Sequence, residues 1–173
     1  MAKWGKCDYR QLKELQKRLD TLTKMDLDGF CREVSKELAA RLLAKVIERT
    51  PVGQYDKPVK FTTADGKVVS FTPHTGKKGG ALRRGWTGGK SSGAANYAKS
   101  LGIKKQGNTY TIEIINPVSY SSYVEYGHRT RNGGWVEGKH MLQISAAEIE
   151  GIAPALIEKR LYTLLRGVFE NDK

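Results

Sequence analysis

The chain has 173 residues, of which 39% are apolar and 28% charged, and its net charge is +12. This length suits one domain spanning residues 1–173 with a hydrophobic core of its own. The apolar runs are far shorter than the roughly 18 residues that a membrane-spanning helix needs, which argues against a membrane protein. The basic N-terminus lacks the apolar stretch of a secretory signal, so we expect the protein to stay in the cytoplasm where it is made.

The positive charge is concentrated in the middle of the chain. Residues 51–112 contain 11 Lys and Arg against 2 Asp and Glu, a balance of +9, whereas residues 113–173 contain 7 against 8. Such a basic segment suits three roles: contact with nucleic acid phosphates, contact with an acidic protein surface, or solvation of a mobile loop. The composition by itself leaves these three open.

The first 50 residues are predicted to be helical. Leucines at three- and four-residue steps indicate an amphipathic helix from Tyr9 to about Leu22. A second, longer helix is expected after Asp26 or Asp28, either of which can cap its first turn. Pro51 predicts the end of this helix near residues 49–50, because the residue before proline is biased out of helical conformation. The apolar stripe of the second helix comprises Phe30, Val34, Leu38, Ala39, Leu42, Leu43, Val46 and Ile47.

The pattern then changes to a β-hairpin and a glycine-rich segment. Asp65-Gly66 stands between two short apolar runs, which predicts an inserted hairpin within residues 54–78. Residues 75–93 are rich in glycine and lysine and carry little apolar surface besides Leu82 and Trp86. We therefore expect most of that segment to be mobile unless a neighbouring element orders it.

Two further strands are predicted next. Alternation of apolar and polar side chains indicates strands from about Tyr97 to Lys104 and from Thr109 to Ile115, joined by a short turn that contains Gly107. They would place a small antiparallel sheet within residues 79–116.

The C-terminal part is predicted to be mainly helical. One or two helical turns are expected at Tyr120–Tyr126, followed by a glycine-rich loop at Gly127–Gly138. Apolar residues at helical spacing then indicate two helices, Met141–Glu150 and Ala153–Val168, within residues 139–170. The predicted fold class is therefore α+β: a long N-terminal helix packed on a small antiparallel β-sheet, with an inserted hairpin and C-terminal helices.

No residue pattern predicts catalysis, a metal site or a cofactor. Residues 85–91 have only three residues where a phosphate-binding loop has four between its glycines, and no apolar strand precedes them. The three histidines, His74, His128 and His140, lack metal-ligand spacing. Two cysteines far apart form neither a disulfide framework nor a zinc knuckle. We therefore expect no enzyme activity and no cofactor, and an enzyme is only the third-ranked interpretation.

Several short elements occur in a fixed order along the chain. They are Thr50-Pro51-Val52, Gly80-Ala81-Leu82-Arg83-Arg84-Gly85-Trp86, Tyr97-Ala98, Asn116-Pro117-Val118, Tyr123-Val124-Glu125-Tyr126-Gly127 and Met141-Leu142. In this order they resemble the bacteriophage family variously called minor tail, tail-completion or head-tail joining proteins, over about Glu33 to Glu150. The chain departs from the family pattern at residues 54–78, which are inserted where the family passes directly from the first element to the second.

The resemblance implies a structural protein of the virion, assembled in the cytoplasm of the bacterial host. Its expected role is tail completion: a neck component that joins the tail to the head connector. The sixfold symmetry of tails implies a homo-oligomeric ring, with a hexamer expected. The expected partners are the tail tube or tail terminator and the head connector proteins, with non-specific contact to phage DNA and no membrane.

Two other interpretations stay open. The chain is alternatively the tail terminator or another minor tail protein. From a different class, it is a free basic nucleic-acid-binding protein with Trp86, Tyr97 and Phe71 as platforms on which bases stack.

Candidate functional residues follow from the same elements. Packing roles are predicted for Pro51, Leu82, Trp86 and Gly127. Charged residues beside aromatic anchors suit the rim of a protein interface. The predicted intersubunit or partner contacts are Arg83, Arg84, Trp86, Glu125, Arg129 and Arg131, and the predicted contacts of the basic segment with DNA or a protein partner are Lys77, Lys78 and Lys90.

Overall fold

The computed structural model describes residues 10–23, 26–55, 57–72, 76, 78–89 and 93–170. The strands in this part of the chain form three separate antiparallel hairpins, β1–β2, β3–β4 and β5–β6, set among helices, which confirms the α+β class. In chain order the elements are α1 Arg10–Thr23, α2 Leu27–Arg49, β1 Val59–Thr62, β2 Val68–Phe71, α3 Ala81–Gly85, α4 Gly93–Ser100, β3 Ile103–Gln106, β4 Thr109–Ile112, α5 Ser121–Tyr126, β5 Gly127–Arg129, β6 Trp135–Glu137 and α6 Met141–Glu170.

The long helix α2 is the central element. Asp26 caps its N-terminus, since the Asp26 carboxylate accepts the backbone N–H of Gly29 at 2.8 Å. The helix ends at Arg49, just before Pro51, as the sequence predicts. Helices α4 and α6 and strand β4 pack along it. The buried core that they enclose consists of Ala39, Leu43 and Val46 of α2 with Leu82, Trp86, Ala98 and Met141.

A cluster of polar groups fastens the N-terminal part of α2 to the β3–β4 hairpin. The Asp28 carboxylate accepts hydrogen bonds from Arg32 Nε and from the Tyr110 hydroxyl, both at 2.6 Å, and from Lys105 Nζ. The hydrogen bond from Arg32 contributes most to holding the pKa of Asp28 well below its ordinary value, and those from Lys105 and Tyr110 act in the same direction. The charged form of Asp28 is therefore favoured by folding.

A second cluster fastens the C-terminal part of α2 to α6. The Glu148 carboxylate accepts hydrogen bonds from Lys45 and Arg49, two cations one helical turn apart on α2. Arg49 also donates to the hydroxyl of Ser145, which is fully buried. Lys45 and then Arg49 lower the pKa of Glu148. Ion pairs therefore set the position of α6 along α2, while the apolar core holds the two helices together.

The region predicted as a sheet at 79–116 is only partly a sheet. A strand was predicted from Tyr97 to Lys104, but residues 93–100 form helix α4, and β3 begins only at Ile103. Ala94, Ala95 and Ala98 are strong helix formers, and Ala98 is fully buried in the core that α4 shares with α2. The small alanine side chain allows the two helices to approach closely, which the local alternation pattern does not reveal.

Two further predictions are corrected in the C-terminal part. The loop predicted at Gly127–Gly138 contains the β5–β6 hairpin, in which His128 pairs with Val136 and Arg129 with Trp135. Its strands have three residues each, too few for an alternating pattern to stand out. The two helices predicted after Met141 are one helix, α6, which contains Pro154. Proline lacks the N–H that would bond the carbonyl of Glu150, and both Glu150 and Pro154 are exposed, so water can bind that carbonyl instead.

The acid sensitivity of the fold should depend on Asp28. A carboxyl whose pKa is lowered by folding contributes stability above its ordinary value near pH 4, and this contribution is lost as the pH falls through the folded-state pKa. We expect Asp28→Asn to lower the melting temperature at pH 7 and to reduce the drop in melting temperature between pH 5 and pH 2.5. Circular dichroism melts measure both. Asp65→Asn, in the exposed β1–β2 turn, is the control. Identical pH profiles for Asp28→Asn and the wild type would contradict the prediction.

Candidate functional site

Three of the sequence elements meet where α2 ends. The Thr50 side chain is fully buried; its hydroxyl donates to the Val46 carbonyl at 2.6 Å and accepts from Trp86 Nε1 at 2.8 Å. The Arg83 guanidinium donates to the Thr50 carbonyl at 2.7 and 3.1 Å and to the Glu48 carbonyl at 3.4 Å. Arg83 thereby satisfies carbonyl groups that a helix end otherwise leaves without partners.

The Asn116 side chain adds the third element to this junction. Its amide donates to the carbonyl of Leu82 at 2.9 Å, and its side-chain oxygen accepts the backbone N–H of Val118 at 3.2 Å. Gly85 lies directly against Asn116, and a Cβ atom at this position would overlap the Asn116 side chain and press on Val118. The glycine between Arg84 and Trp86 is therefore required by close packing.

Glu125 caps helix α6 from a distant point in the sequence. Its carboxylate is buried and accepts the backbone N–H groups of Leu142, at 3.0 and 3.1 Å, and Gln143, at 3.0 Å. These groups belong to the first turn of α6, where the helix dipole favours a negative charge. His140, which precedes the helix, has a positive φ of 47° and donates its N–H to the Glu125 carbonyl at 3.0 Å. One residue thus fixes both the start of α6 and the chain that leads into it.

An aromatic and basic surface surrounds the β5–β6 hairpin. Tyr123, Tyr126 and Trp135 are 56%, 58% and 56% exposed, and Arg129, opposite Trp135 in the hairpin, is exposed too. The rings of Tyr123 and His128 meet edge to face, with centroids 5.7 Å apart. This combination of large aromatic side chains with an arginine is typical of protein interfaces. We call Tyr123, Tyr126, Arg129, Trp135 and Val136 the aromatic surface; within the hairpin, Arg129 and Trp135 lie on one face and Val136 on the other.

The backbone beneath this surface requires glycine at position 127. Gly127 has a φ of 87°, and a Cβ atom there would lie 2.5 Å from the Val136 carbonyl oxygen and 3.0 Å from the Trp135 ring. The glycine lets the chain turn from α5 into β5 while Trp135 packs across it. The packing role predicted for Gly127 is therefore visible in the structure.

The predicted contact residues fall into two groups in the structure. Trp86 and Glu125 are 4% and 6% exposed, so a direct contact with another subunit would require this part of the fold to open. Arg83 is half-buried against the end of α2, and Arg84 donates to the Gly79 carbonyl at 3.2 Å while staying exposed. Arg129 and Arg131 are exposed, as is Lys78; Lys77 and Lys90 lie outside the described residues.

Sequence reasoning missed two residues of the aromatic surface, Trp135 and Val136, although it singled out Arg129 as a contact. Trp135 and Val136 belonged to a predicted loop, and no motif marked them. The available signal was the pair of large apolar residues between polar and glycine positions, which is unusual in a solvated loop. Within the described residues, no three His, Cys, Asp or Glu side chains could hold a metal ion, and no helix is long and apolar enough to cross a membrane.

The Glu125 cap should contribute measurably to stability. We expect Glu125→Ala to lower the free energy of unfolding by about 1–2 kcal/mol, the usual cost of losing a helix cap. For a chain of this length the melting temperature would fall by roughly 2–8 °C. Glu125→Gln, which keeps one acceptor oxygen, should give an intermediate melting temperature. Glu137→Gln, at an exposed residue of the neighbouring β5–β6 hairpin, should have no effect. Equal stability of Glu125→Ala and Glu137→Gln would exclude the cap as a stabilising contact.

The hydrogen bond between Trp86 and Thr50 is testable with a double-mutant cycle. Trp86→Phe keeps an aromatic ring but removes the N–H donor, and Thr50→Val removes the acceptor. We expect a coupling free energy of about 1 kcal/mol between the two changes, as for a typical intramolecular hydrogen bond. Urea unfolding measures it, with Trp135→Phe at the exposed ring as a control that changes stability little. Strict additivity of the two substitutions would show that the bond contributes nothing.

Comparison with known proteins identifies the family. Residues 13–127 match the HK97-gp10-like family model, described as "Bacteriophage HK97-gp10, putative tail-component". No curated protein and no solved structure matches the chain. The matched segment covers about two thirds of the sequence and includes the elements from Thr50 to Gly127, so it contains the junction at the end of α2 and the Glu125 cap, whereas α6 lies beyond it. The chain belongs to the HK97-gp10-like family of bacteriophage tail components.

Proposed function

We propose that this tail component completes the upper end of the tail as a homohexameric ring and joins the tail to the head connector. Membership of a phage tail family supports a structural role in the virion. The proposal adds to this family role that the protein forms a ring and that the ring lies at the neck. A ring component acts by shape and contact, so the proposal requires surfaces that another copy or another virion protein covers.

The observation that carries the proposal is the number of large apolar side chains that the subunit leaves uncovered. Twenty of these side chains in the described residues are exposed, among them Phe61, Phe71, Tyr123, Tyr126 and Trp135. Single exposed apolar side chains are common on protein surfaces, whereas groups of them mark contacts with other proteins. A subunit that has a neighbour on each side in a ring would bury such groups in its two contacts.

The aromatic surface is the proposed contact with a neighbouring virion protein. Tyr and Trp contribute large contact areas at interfaces, and Arg129 and Arg131 would form the charged rim. Arg83, Arg84, Trp86 and Glu125, the other predicted contacts, would support the interface indirectly by holding α2, α3, α5 and α6 in place.

The basic middle segment is proposed to face the lumen of the ring. Lys77, Lys78 and Lys90 belong to this segment, whose charge of +9 would give sequence-independent contacts with DNA phosphates that weaken with salt. The same lysines would equally suit an acidic face of the adjoining connector. A free nucleic-acid-binding protein is less well supported, because Trp86, one of the proposed stacking platforms, is buried and bonded to Thr50.

Particles made without the gene would test the neck assignment. In a strain that lacks it, negative-stain electron microscopy should show filled heads and tails that stay unjoined, or tails with defective upper ends. The intact gene should restore joined particles. A gene with Arg129→Ser and Arg131→Ser should give at least tenfold fewer joined particles than the intact gene. A gene with Lys13→Ser and Lys104→Ser, which removes the same charge from other exposed positions, should give as many joined particles as the intact gene.

Each outcome bears on the proposal. Normal particles without the gene would show that the protein is not required to join heads to tails, and oligonucleotide binding by the purified chain would become the leading question. Joined particles of abnormal tail length would instead favour the tail terminator, the alternative within the family.

A further inference from the structure

The β1–β2 hairpin presents an uncovered apolar face. The register pairs Val59 with Phe71 and Phe61 with Val69, which places these four side chains on the same side of the hairpin. The two phenylalanine rings meet edge to face with centroids 6.5 Å apart, yet Phe61 and Phe71 are 48% and 50% exposed. An isolated two-stranded hairpin is at best marginally stable in water. This hairpin therefore has the composition of an element that packs against something else.

The same chain carries an open apolar groove between three helices. It has a volume of about 700 Å³, and its walls come from α2, α4 and α6. Phe30, Val34 and Ala40 contribute from α2, Ala95 from α4 and Leu164 from α6. The groove and the hairpin are separate surfaces of the subunit, and the residues that line the groove include none from β1 or β2.

We propose that the hairpin of one copy packs into the groove of the next copy around the ring. This inference rests on the proposed ring and names the contact that would build it. An arm that fits a different surface on an identical neighbour makes a head-to-tail contact, and such contacts close into a ring when the rotation between copies allows it. A two-fold dimer that exchanges arms would use the same two surfaces, but its cross-linked products would stop at two subunits, whereas a ring gives larger multimers.

The apolar face of the hairpin supplies one part of an interface with a second copy. A phenylalanine buries on the order of 150–250 Å² when fully covered, and Phe61 and Phe71 are already about half buried, so together they add roughly 150–250 Å². Val59, Val69 and the flanking lysines add to this area, and other surfaces of the two copies would supply the rest of the roughly 800 Å² per partner of a standard interface. Each subunit would bury the hairpin contact twice, once as arm and once as groove.

One charge at the groove suits this contact. Residues 57–71 of the hairpin carry Lys57, Lys60 and Lys67 against Asp65. The charged residues that line the groove are Glu33, Glu37, Lys36, Lys99 and Arg160, and Glu37 is already paired with Arg160. Glu33 lies at the groove, exposed, and within the described residues its carboxylate has no hydrogen-bond or ion-pair partner. Lys36, also at the groove, donates to the backbone carbonyl of Lys99 at 2.8 Å. A lysine of the neighbouring hairpin would give Glu33 its counter-ion.

Disulfide trapping in assembled tails tests the contact. Cys7→Ser and Cys31→Ser give a cysteine-free chain, into which Val69→Cys and Ala95→Cys place one thiol on the hairpin and one at the groove. Tails purified from a strain that makes this variant are oxidised and run on a non-reducing gel. We expect a ladder of disulfide-linked multimers up to six subunits. The control pair, Val69→Cys with Ala147→Cys on an exposed part of α6 outside the groove, should give none.

A lysine-reactive cross-linker applied to the same tails separates this inference from the ring itself. If the cross-linker yields multimers and the cysteine pair yields none, the ring stands and the hairpin contacts another surface or another protein. If neither yields multimers, the ring proposal fails and this inference fails with it. A disulfide within one chain, seen as a faster monomer band, would show that the hairpin folds onto its own groove.

A second variant avoids any dependence on disulfide geometry. Phe61→Ser with Phe71→Ser should abolish incorporation of the protein into tails, because the hairpin would lose its apolar face. The melting temperature should change little, since both rings are already half exposed. Thr62→Ala with Ser70→Ala on the opposite face is the matched control. Normal incorporation of the double phenylalanine variant would overturn the proposal.

Discussion

The buried hydroxyl of Thr50 is the contact on which the arrangement of the subunit depends. It lies where α2 ends, bonds back to the Val46 carbonyl and accepts the indole N–H of Trp86. The Thr50 carbonyl in turn binds Arg83. A helix end in the interior of a protein needs partners for its carbonyl groups, because unpaired polar groups are costly to bury. Arg83 and the Thr50 hydroxyl supply those partners, and Trp86 binds the same hydroxyl, so helix α3 is fixed against α2. The Leu82 carbonyl then accepts a hydrogen bond from the Asn116 side chain.

The residues that resemble the phage family are thus mainly the residues that hold the subunit together. Thr50, Trp86, Asn116 and Glu125 all make buried or half-buried hydrogen bonds between elements that are distant in the sequence. Of the surfaces that stay open, the β1–β2 hairpin lies outside those elements, whereas the aromatic surface takes Tyr123 and Tyr126 from one of them. The β1–β2 hairpin is the clearest case, since its two phenylalanine side chains are about half exposed.

Local sequence patterns were sufficient for the helices and hairpins whose signals are contained in a short window. The capping aspartate and Pro51 defined α2 at both ends, and Asp65-Gly66 located the first hairpin. They were insufficient where a distant residue decides the structure. Helix α4 exists because alanines allow it to lie close to α2, and Ala98 is fully buried there. The start of α6 at Met141 was predicted correctly, but the Glu125 side chain that caps it comes from a part of the chain that no window around Met141 contains.

The amino-acid sequence by itself determined the fold class, the position of the basic segment and the order of the elements that mark the family. These depend on composition, on periodicity and on residues close together in the chain. Only the tertiary structure decided which of the singled-out residues lie inside the subunit and which are free to bind. The sequence shows that positions 86 and 125 are Trp and Glu, but not that both side chains are buried. Their burial depends on neighbouring residues from other elements. The physical reason is that burial is a property of the packed chain, whereas a side chain carries only the capacity for a contact.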